Sequence, residues 1–336
     1  MNALIVGAGA VGQIYGHCLA RGGARVTFLV KPKYAAEARA GFILYALGGR
    51  PRRERLDGCD VITDPREWAA RSGSAGSRSV AEGRRAESID QVYLTVASTA
   101  LAGDWLPELC RATAPATIVL LQPGLDDREI VERACGDASC VVASTISFLS
   151  YHAPLPGETR FHEPGMAYWF FPLTRAPVSG PDDARVAAVI DALAAGKMPV
   201  KRAADARADS AGASALLSAF VAALEASEWS FARMRKDNAV LGARAAREAA
   251  MIALGKLPFG LKLAARPGTF RSILRLAPHL VPVDLEAYMK AHFTKVGDQM
   301  HAGLDDYIQR GRALQASTAA LEDLARRRLI AQSSQS

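Results

Sequence analysis

The chain has 336 residues, half of them hydrophobic, which is enough material for two domains with a core each. Its 41 Lys and Arg against 34 Asp and Glu leave a formal charge of +7, yet the basic residues are scattered and the densest group, Arg50 to Arg55, is interrupted by Pro51 and Glu54. No basic stretch interleaves with aromatics as a nucleic-acid face requires, and no apolar run approaches the ~18 residues of a membrane span, so neither nucleic acid nor membrane is an expected partner.

Ala3 to Val6 is a short apolar run, followed directly by Gly7-Ala8-Gly9-Ala10-Val11-Gly12 and then by a helix-compatible stretch from Gln13 to Arg21. Strand, glycine turn and helix in that order make the phosphate-holding half of a dinucleotide site. Gly7 permits the tight turn, Gly9 lets backbone N–H groups approach a pyrophosphate, and Gly12 lets helix and strand pack closely. The pyrophosphate then sits at the positive end of the helix. Arg25 to Val30 predicts a second strand at βαβ spacing, and Lys31, with Lys33 just beyond, ends it where a binder of unphosphorylated cofactor carries an acid. An ammonium there pairs with the extra phosphate of NADP, which makes NADP the expected cofactor. The other reading, two solvated lysines on a loop, stays open at this point.

Further along, Tyr34 to Ala40 predicts a short helix, Gly41 to Leu47 an extended segment and Asp60 to Thr63 another strand. Residues 72–87, rich in Ser, Gly, Arg and Ala without a hydrophobic period, predict an inserted surface loop. Strands over Gln91 to Val96, Ala116 to Leu121 and Cys140 to Ile146 then alternate with helices over Trp105 to Ala112 and Asp126 to Ala134. This alternation predicts an α/β fold, a mainly parallel Rossmann-type sheet with helices on both faces. Phe148 to Phe171 is expected to add one or two strands, or a hairpin, at the edge of that sheet.

From Pro181 onward the pattern changes to alanine-rich helices over 182–195, 209–234, 237–254, 284–311 and 317–328, with Pro258, Pro267, Pro278 and Pro282 in the connections. The expected division is an NADP-binding domain over 1–175 and an all-helical substrate and dimerisation domain over 176–332. A catalytic cleft is expected between them, above the carboxyl ends of the strands.

In its opening turn and helix, and in Lys31, the chain resembles the ketopantoate reductase (2-dehydropantoate 2-reductase) family; the likeness continues more loosely through Gly41, Val92 to Val96 and Gln122-Pro123-Gly124. The resemblance implies a Rossmann domain followed by a helical one, and NADPH-dependent reduction of a 2-keto acid or related carbonyl compound. It also implies that Gly7, Ala8, Gly9, Ala10, Val11, Gly12, Lys31, Thr95 and Gly124 surround the cofactor, and that a lysine on a helix of the second domain protonates the carbonyl oxygen. The chain departs from the family at three places. Thr95 stands where a strand-end lysine is implied, Pro123 replaces the asparagine of an Asn-Gly turn, and the stretch Ala213 to Ala223 holds neither the implied lysine nor an asparagine. These departures point away from ketopantoate itself and leave a second reading open, an NADP(H)-binding sensor or partner-binding protein on the same fold.

A replacement for the missing lysine is sought at Lys295, because His292, Lys295 and Gln299 share one face at helical spacing. A buried lysine has its pKa lowered by desolvation and becomes an acid near neutrality. Lys295 is therefore the candidate catalytic or carboxylate-binding residue, against the alternative of a solvated helical face. Glu225 and Glu228 either line the cleft or face water. Five cysteines without a C-x-x-C pair fit reduced thiols in a cytoplasm, and six histidines without H-x-H or H-E-x-x-H spacing predict no metal. The expected partner is a small-molecule carbonyl substrate, with a homodimer as the candidate assembly.

Overall fold

A computed structural model of the chain describes residues 1–68, 88–295 and 297–333, so the loop expected at 72–87 lies outside the described residues. Two compact units divide after Arg207. In the first, β1 (Asn2–Val6), β2 (Arg25–Leu29), β5 (Asp60–Ile62), β6 (Gln91–Leu94), β7 (Thr117–Leu120) and β8 (Val141–Ser144) pair side by side in parallel. Their order, β5-β2-β1-β6-β7-β8, is that of a Rossmann sheet, and the order reverses between β1 and β6. Two strands extend the far edge: β11 (Ala176–Ser179) runs antiparallel to β8, and β12 (Val200–Arg202) runs parallel to β11.

That extension moves the domain boundary. The division expected near residue 175 falls after Arg207 instead, because β11, the helix Asp183–Ala195 and β12 complete the sheet. The alanine-rich sequence of that helix resembles those that follow it, and a strand of three residues leaves no periodicity to detect.

A second sheet, in the order β4-β3-β10-β9, is built from two distant hairpins, β3 (Phe42–Ala46) with β4 (Arg52–Leu56) and β9 (Phe148–Ala153) with β10 (Gly165–Phe170). Parallel pairing of β3 with β10 joins them. The hairpin expected at the edge of the large sheet thus belongs to a sheet of its own. β4, read in the sequence as a basic cluster, is an edge strand whose charges guard unpaired backbone groups.

Helix α1 (Ala10–Arg21) lies between the two sheets. Residues Gly12 through Leu19 are all buried, with Ile14, Tyr15, Cys18 and Leu19 fully so. On one side Gly16 lies against Phe28 of β2, where an added Cβ would come within 2.6 Å of the ring. On the other, Tyr15 packs on Phe148 at 5.9 Å between ring centroids. Each fully buried large side chain contributes roughly 1.5–3 kcal/mol, so α1 is among the most firmly held elements of the unit.

The second unit, Ala208–Ser336, contains only helices among its described residues. The stretch expected as one helix over 209–234 ends its regular α-helix at Glu225, and the proline-rich stretch expected as a connection holds the helices Phe259–Ala264 and Pro267–Leu280. Pro267 opens its helix at a position whose N–H has no intrahelical acceptor in any case, and Pro278 falls within the last turn. No helix among the described residues is long and apolar enough to cross a membrane.

Candidate functional site

The carboxyl ends of β1, β2, β6 and β7 collect most of the residues singled out in the sequence. β1 leads into Gly7, whose φ of +100° is open to glycine and strained for other residues. Gly7 N–H donates to Leu29 O at 2.9 Å, which ties the turn to β2. Gly9 caps α1 without a side-chain acceptor, and the first turn of the helix carries no acid. The leading N–H groups, around Ala10, Val11 and Gly12, therefore have no partner from a cap and form a positive helix end.

The glycines divide the work. A Cβ at Gly9 would meet nothing within 4 Å, so the turn is open there. A Cβ at Gly12 would lie 2.1 Å from Gly7 O and 2.7 Å from Thr95 Oγ1, so only glycine lets α1 close on the turn. Ala8 completes the loop, its carbonyl accepting from Gln13 Nε2 at 2.9 Å.

Lys31 follows β2 directly. Because Leu29 registers with Val6, Lys31 emerges at the same sheet edge as the turn, exposed and without an ion-pair partner among the described residues. Lys33 lies with its ammonium 4.8 Å from the centre of the Tyr34 ring. Thr95 follows β6, and its hydroxyl lies within hydrogen-bond reach of Val6 O at 2.8 Å and Gly7 O at 3.0 Å, clasping the turn from the other side.

Gly124 sits in the loop after β7. Its N–H donates to Asp127 Oδ2 at 2.6 Å, the same oxygen that accepts from Ser98 Oγ at 2.7 Å, and its carbonyl accepts from Arg207 at 2.8 Å. Gln122 bridges the strand ends through Nε2, which donates to Leu94 O and Val96 O. Asp127 and Gln122, both buried, are the two organising side chains that sequence reasoning missed. Asp127 opens the helix Asp127–Cys135, and an acid in a first helical turn beside a glycine loop was the available signal.

Lys295 lies in the second unit, at the last residue of the helix Leu285–Lys295, and is exposed. The burial on which its expected acidity rested is absent. Gln299's side chain lies outside the described residues. Elsewhere in that unit His301 Nε2 is 3.2 Å from both oxygens of Glu225, so Glu225 is paired with a histidine on the helix Gly297–Ala313.

His292 stacks on Tyr288 at 5.4 Å and meets Phe293 edge-on at 4.8 Å. Burial, with the nearby Lys295 charge adding to it, pushes its pKa down from 6.5 to about 4. The folded ring is thus neutral where the unfolded one is protonated, so unfolding takes up a proton between those values. Stability is fully present above about pH 6.5 and falls as pH drops towards 4, by no more than about 3 kcal/mol since the ring keeps some exposure. Urea titrations across that window should show this slope in the wild type and a flatter one in His292→Phe; equal slopes would remove His292 from the account.

Among the described residues no set of three His, Cys, Asp or Glu side chains is placed to hold a metal ion. Residues 3–169 match the family described as Ketopantoate reductase PanE/ApbA. No curated protein sequence matches. A PanE/ApbA family ketopantoate reductase from Ralstonia eutropha JMP134 is similar over 100% of both chains, with 22% identity and a TM-score of 0.70. A 2-dehydropantoate 2-reductase from Geobacter metallireducens GS-15 is 18% identical with a TM-score of 0.66, covering 98% of this chain and 100% of that one. D-mandelate dehydrogenase, in a ternary structure with NADH and anilino(oxo)acetate, is 12% identical with a TM-score of 0.68 over 99% of each chain. At these identities the likeness is one of fold.

Proposed function

We propose, from the premise that residues 3–169 are a ketopantoate reductase PanE/ApbA family domain, that the protein is a nicotinamide-dependent reductase of a 2-keto acid or related carbonyl compound, with NADPH as its preferred cofactor. The observation that carries this reading is the uncapped, acid-free end of α1 beside the open face of Gly9, with the exposed Lys31, unpaired among the described residues, at the same sheet edge. Those residues fit a dinucleotide: the uncapped backbone N–H groups around Ala10, Val11 and Gly12 for the diphosphate, and Lys31 for the phosphate on the adenosine ribose. The cofactor, when bound, supplies the hydride.

The chain's own part is to bind and orient. Thr95 holds the turn in shape through its two carbonyl partners, and the Gly124 loop, braced by Asp127, borders the same edge. Lys295 is assigned the cation that meets the substrate's carboxylate or its polarised carbonyl oxygen. Lys295→Ala is then expected to lower kcat/KM by about 100-fold while leaving the Kd for NADPH unchanged. An unaltered kcat/KM would take Lys295 out of that role.

The proposal is tested by calorimetric titration with NADPH and NADH, followed by turnover of NADPH against a panel of 2-keto acids that includes ketopantoate. NADPH binding with oxidation by at least one panel member is the expected result; absence of NADPH binding would overturn it. A sensor function has two observations in its favour: the Thr95 hydroxyl is already spent on Val6 and Gly7, and residues 213–223 carry no ionisable group. Binding without turnover across the panel would favour that second reading.

A further inference from the structure

Three of the five cysteines meet on the first unit, away from the glycine turn. Cys110 comes from the helix Trp105–Thr113, Cys135 ends the helix Asp127–Cys135, and Cys140 immediately precedes β8. Since each helix returns the chain to the amino ends of the strands, the cluster lies towards the edge opposite Gly7. Cys110 Sγ and Cys135 Sγ are 3.1 Å apart, and Cys135 also hydrogen-bonds Cys140. Cys140 Sγ lies 3.0 Å from Asp137 O. Cys110 is buried, whereas Cys135 and Cys140 are half-buried. A single buried cysteine is an ordinary small hydrophobe, but that role does not require three sulfurs from three elements to converge, and the proposed reductase chemistry uses none of them.

We propose that Cys140, Cys135 and Cys110 form a peroxide-responsive thiol relay that closes a reversible disulfide between Cys110 and Cys135. In the first step the Cys140 thiolate attacks hydrogen peroxide. A sulfur–oxygen bond forms, the oxygen–oxygen bond breaks, and the departing hydroxide takes up a proton as water, leaving Cys140 as a sulfenic acid. Cys135 sulfur then attacks Cys140 sulfur, so that a disulfide forms, the sulfur–oxygen bond breaks, and a second water leaves with the Cys135 proton. Cys110 finally attacks Cys135, which returns Cys140 as a thiol. The sum is two thiols and one peroxide giving one disulfide and two waters.

The surroundings order the three roles. The hydrogen bond from Cys135 lowers the Cys140 thiol to about 7 against the effect of burial, which favours its thiolate relative to an ordinary cysteine. Cys135, whose contacts with Cys110 and Cys140 and whose burial all raise its pKa, keeps its proton until a neighbour is oxidised. Cys59 provides a control within the same chain: it is also half-buried, but burial with Asp60 and Asp57 pushes its thiol up to about 11.

The test uses the reduced full-length protein, treated with a small excess of hydrogen peroxide, quenched by alkylation, and read by thiol titration in denaturant and by peptide mass mapping. Two of the five thiols should be lost and restored by dithiothreitol, with the disulfide mapping to Cys110 and Cys135. Cys140 should react at least about tenfold faster than Cys59, a comparison that needs no variant. Cys110→Ser should trap Cys135 with Cys140, and Cys135→Ser should form no internal disulfide and carry Cys140 on to the sulfinic acid; thermal melts check that each variant is folded. Persistence of all five thiols, equal rates at Cys59 and Cys140, or a two-thiol loss surviving in Cys135→Ser would each overturn the relay.

Discussion

Gly12→Val is expected to abolish NADPH binding and to lower the melting temperature of the protein. The added carbon would lie 2.1 Å from the Gly7 carbonyl oxygen, a backbone atom that no rotamer change can move aside. The first turn of α1 must therefore lift from β1, and overpacking of this kind costs roughly 1–3 kcal/mol, occasionally more. In a unit of about this size each kcal/mol shifts the melting temperature by roughly 2–4 °C, so a fall of several degrees is the expected reading. Gly9→Ala separates the two effects. Its Cβ meets nothing within 4 Å, so stability should stay within about 0.5 kcal/mol while NADPH affinity falls. Full NADPH affinity in Gly9→Ala would place the diphosphate elsewhere.

Lys31→Glu is expected to reverse the cofactor preference. Removing a charge-assisted contact with a phosphate loses about 1.5–3 kcal/mol, and a carboxylate at that point repels the phosphate further, so NADPH affinity should drop by at least about 100-fold. The same carboxylate can accept hydrogen bonds from an unphosphorylated ribose, so NADH affinity should rise. Lys33→Ala should do far less, because that ammonium sits over Tyr34. Calorimetric titration of the three proteins with both cofactors reads all of this, and an unchanged NADPH affinity in Lys31→Glu would refute the assignment of the phosphate to Lys31.

What the sequence reveals of this molecule is what it encodes locally. Gly7 to Gly12 and the cation after β2 are legible because their geometry follows from a few consecutive residues and the twist of one βαβ unit. The second sheet is not legible, since β3 pairs with β10 across most of the first unit, and no window of residues carries that register. β4 escapes detection because its sequence, Arg-Arg-Glu-Arg-Leu, follows no hydrophobic alternation; Glu54 is its polar anchor, accepting from Tyr168 at 2.7 Å. Asp127 escapes for a related reason, since its partners Ser98 and Gly124 come from separate loops and only the folded sheet edge assembles them. Lys295 shares a helical face with His292, but spacing identifies a face and not what covers it, and the side chain is exposed.

The insertion of α1 between two sheets has a temporal meaning. The residues that would cradle the diphosphate leave the ribosome well before the strands that cover the outer side of their helix, which lie within residues 148–170. Until then Tyr15 lacks its Phe148 neighbour, and the helix end that aims the N–H groups is braced on one side only. The proposed competence for a nucleotide thus rests on the whole amino-terminal unit, although its signature is written in a dozen residues.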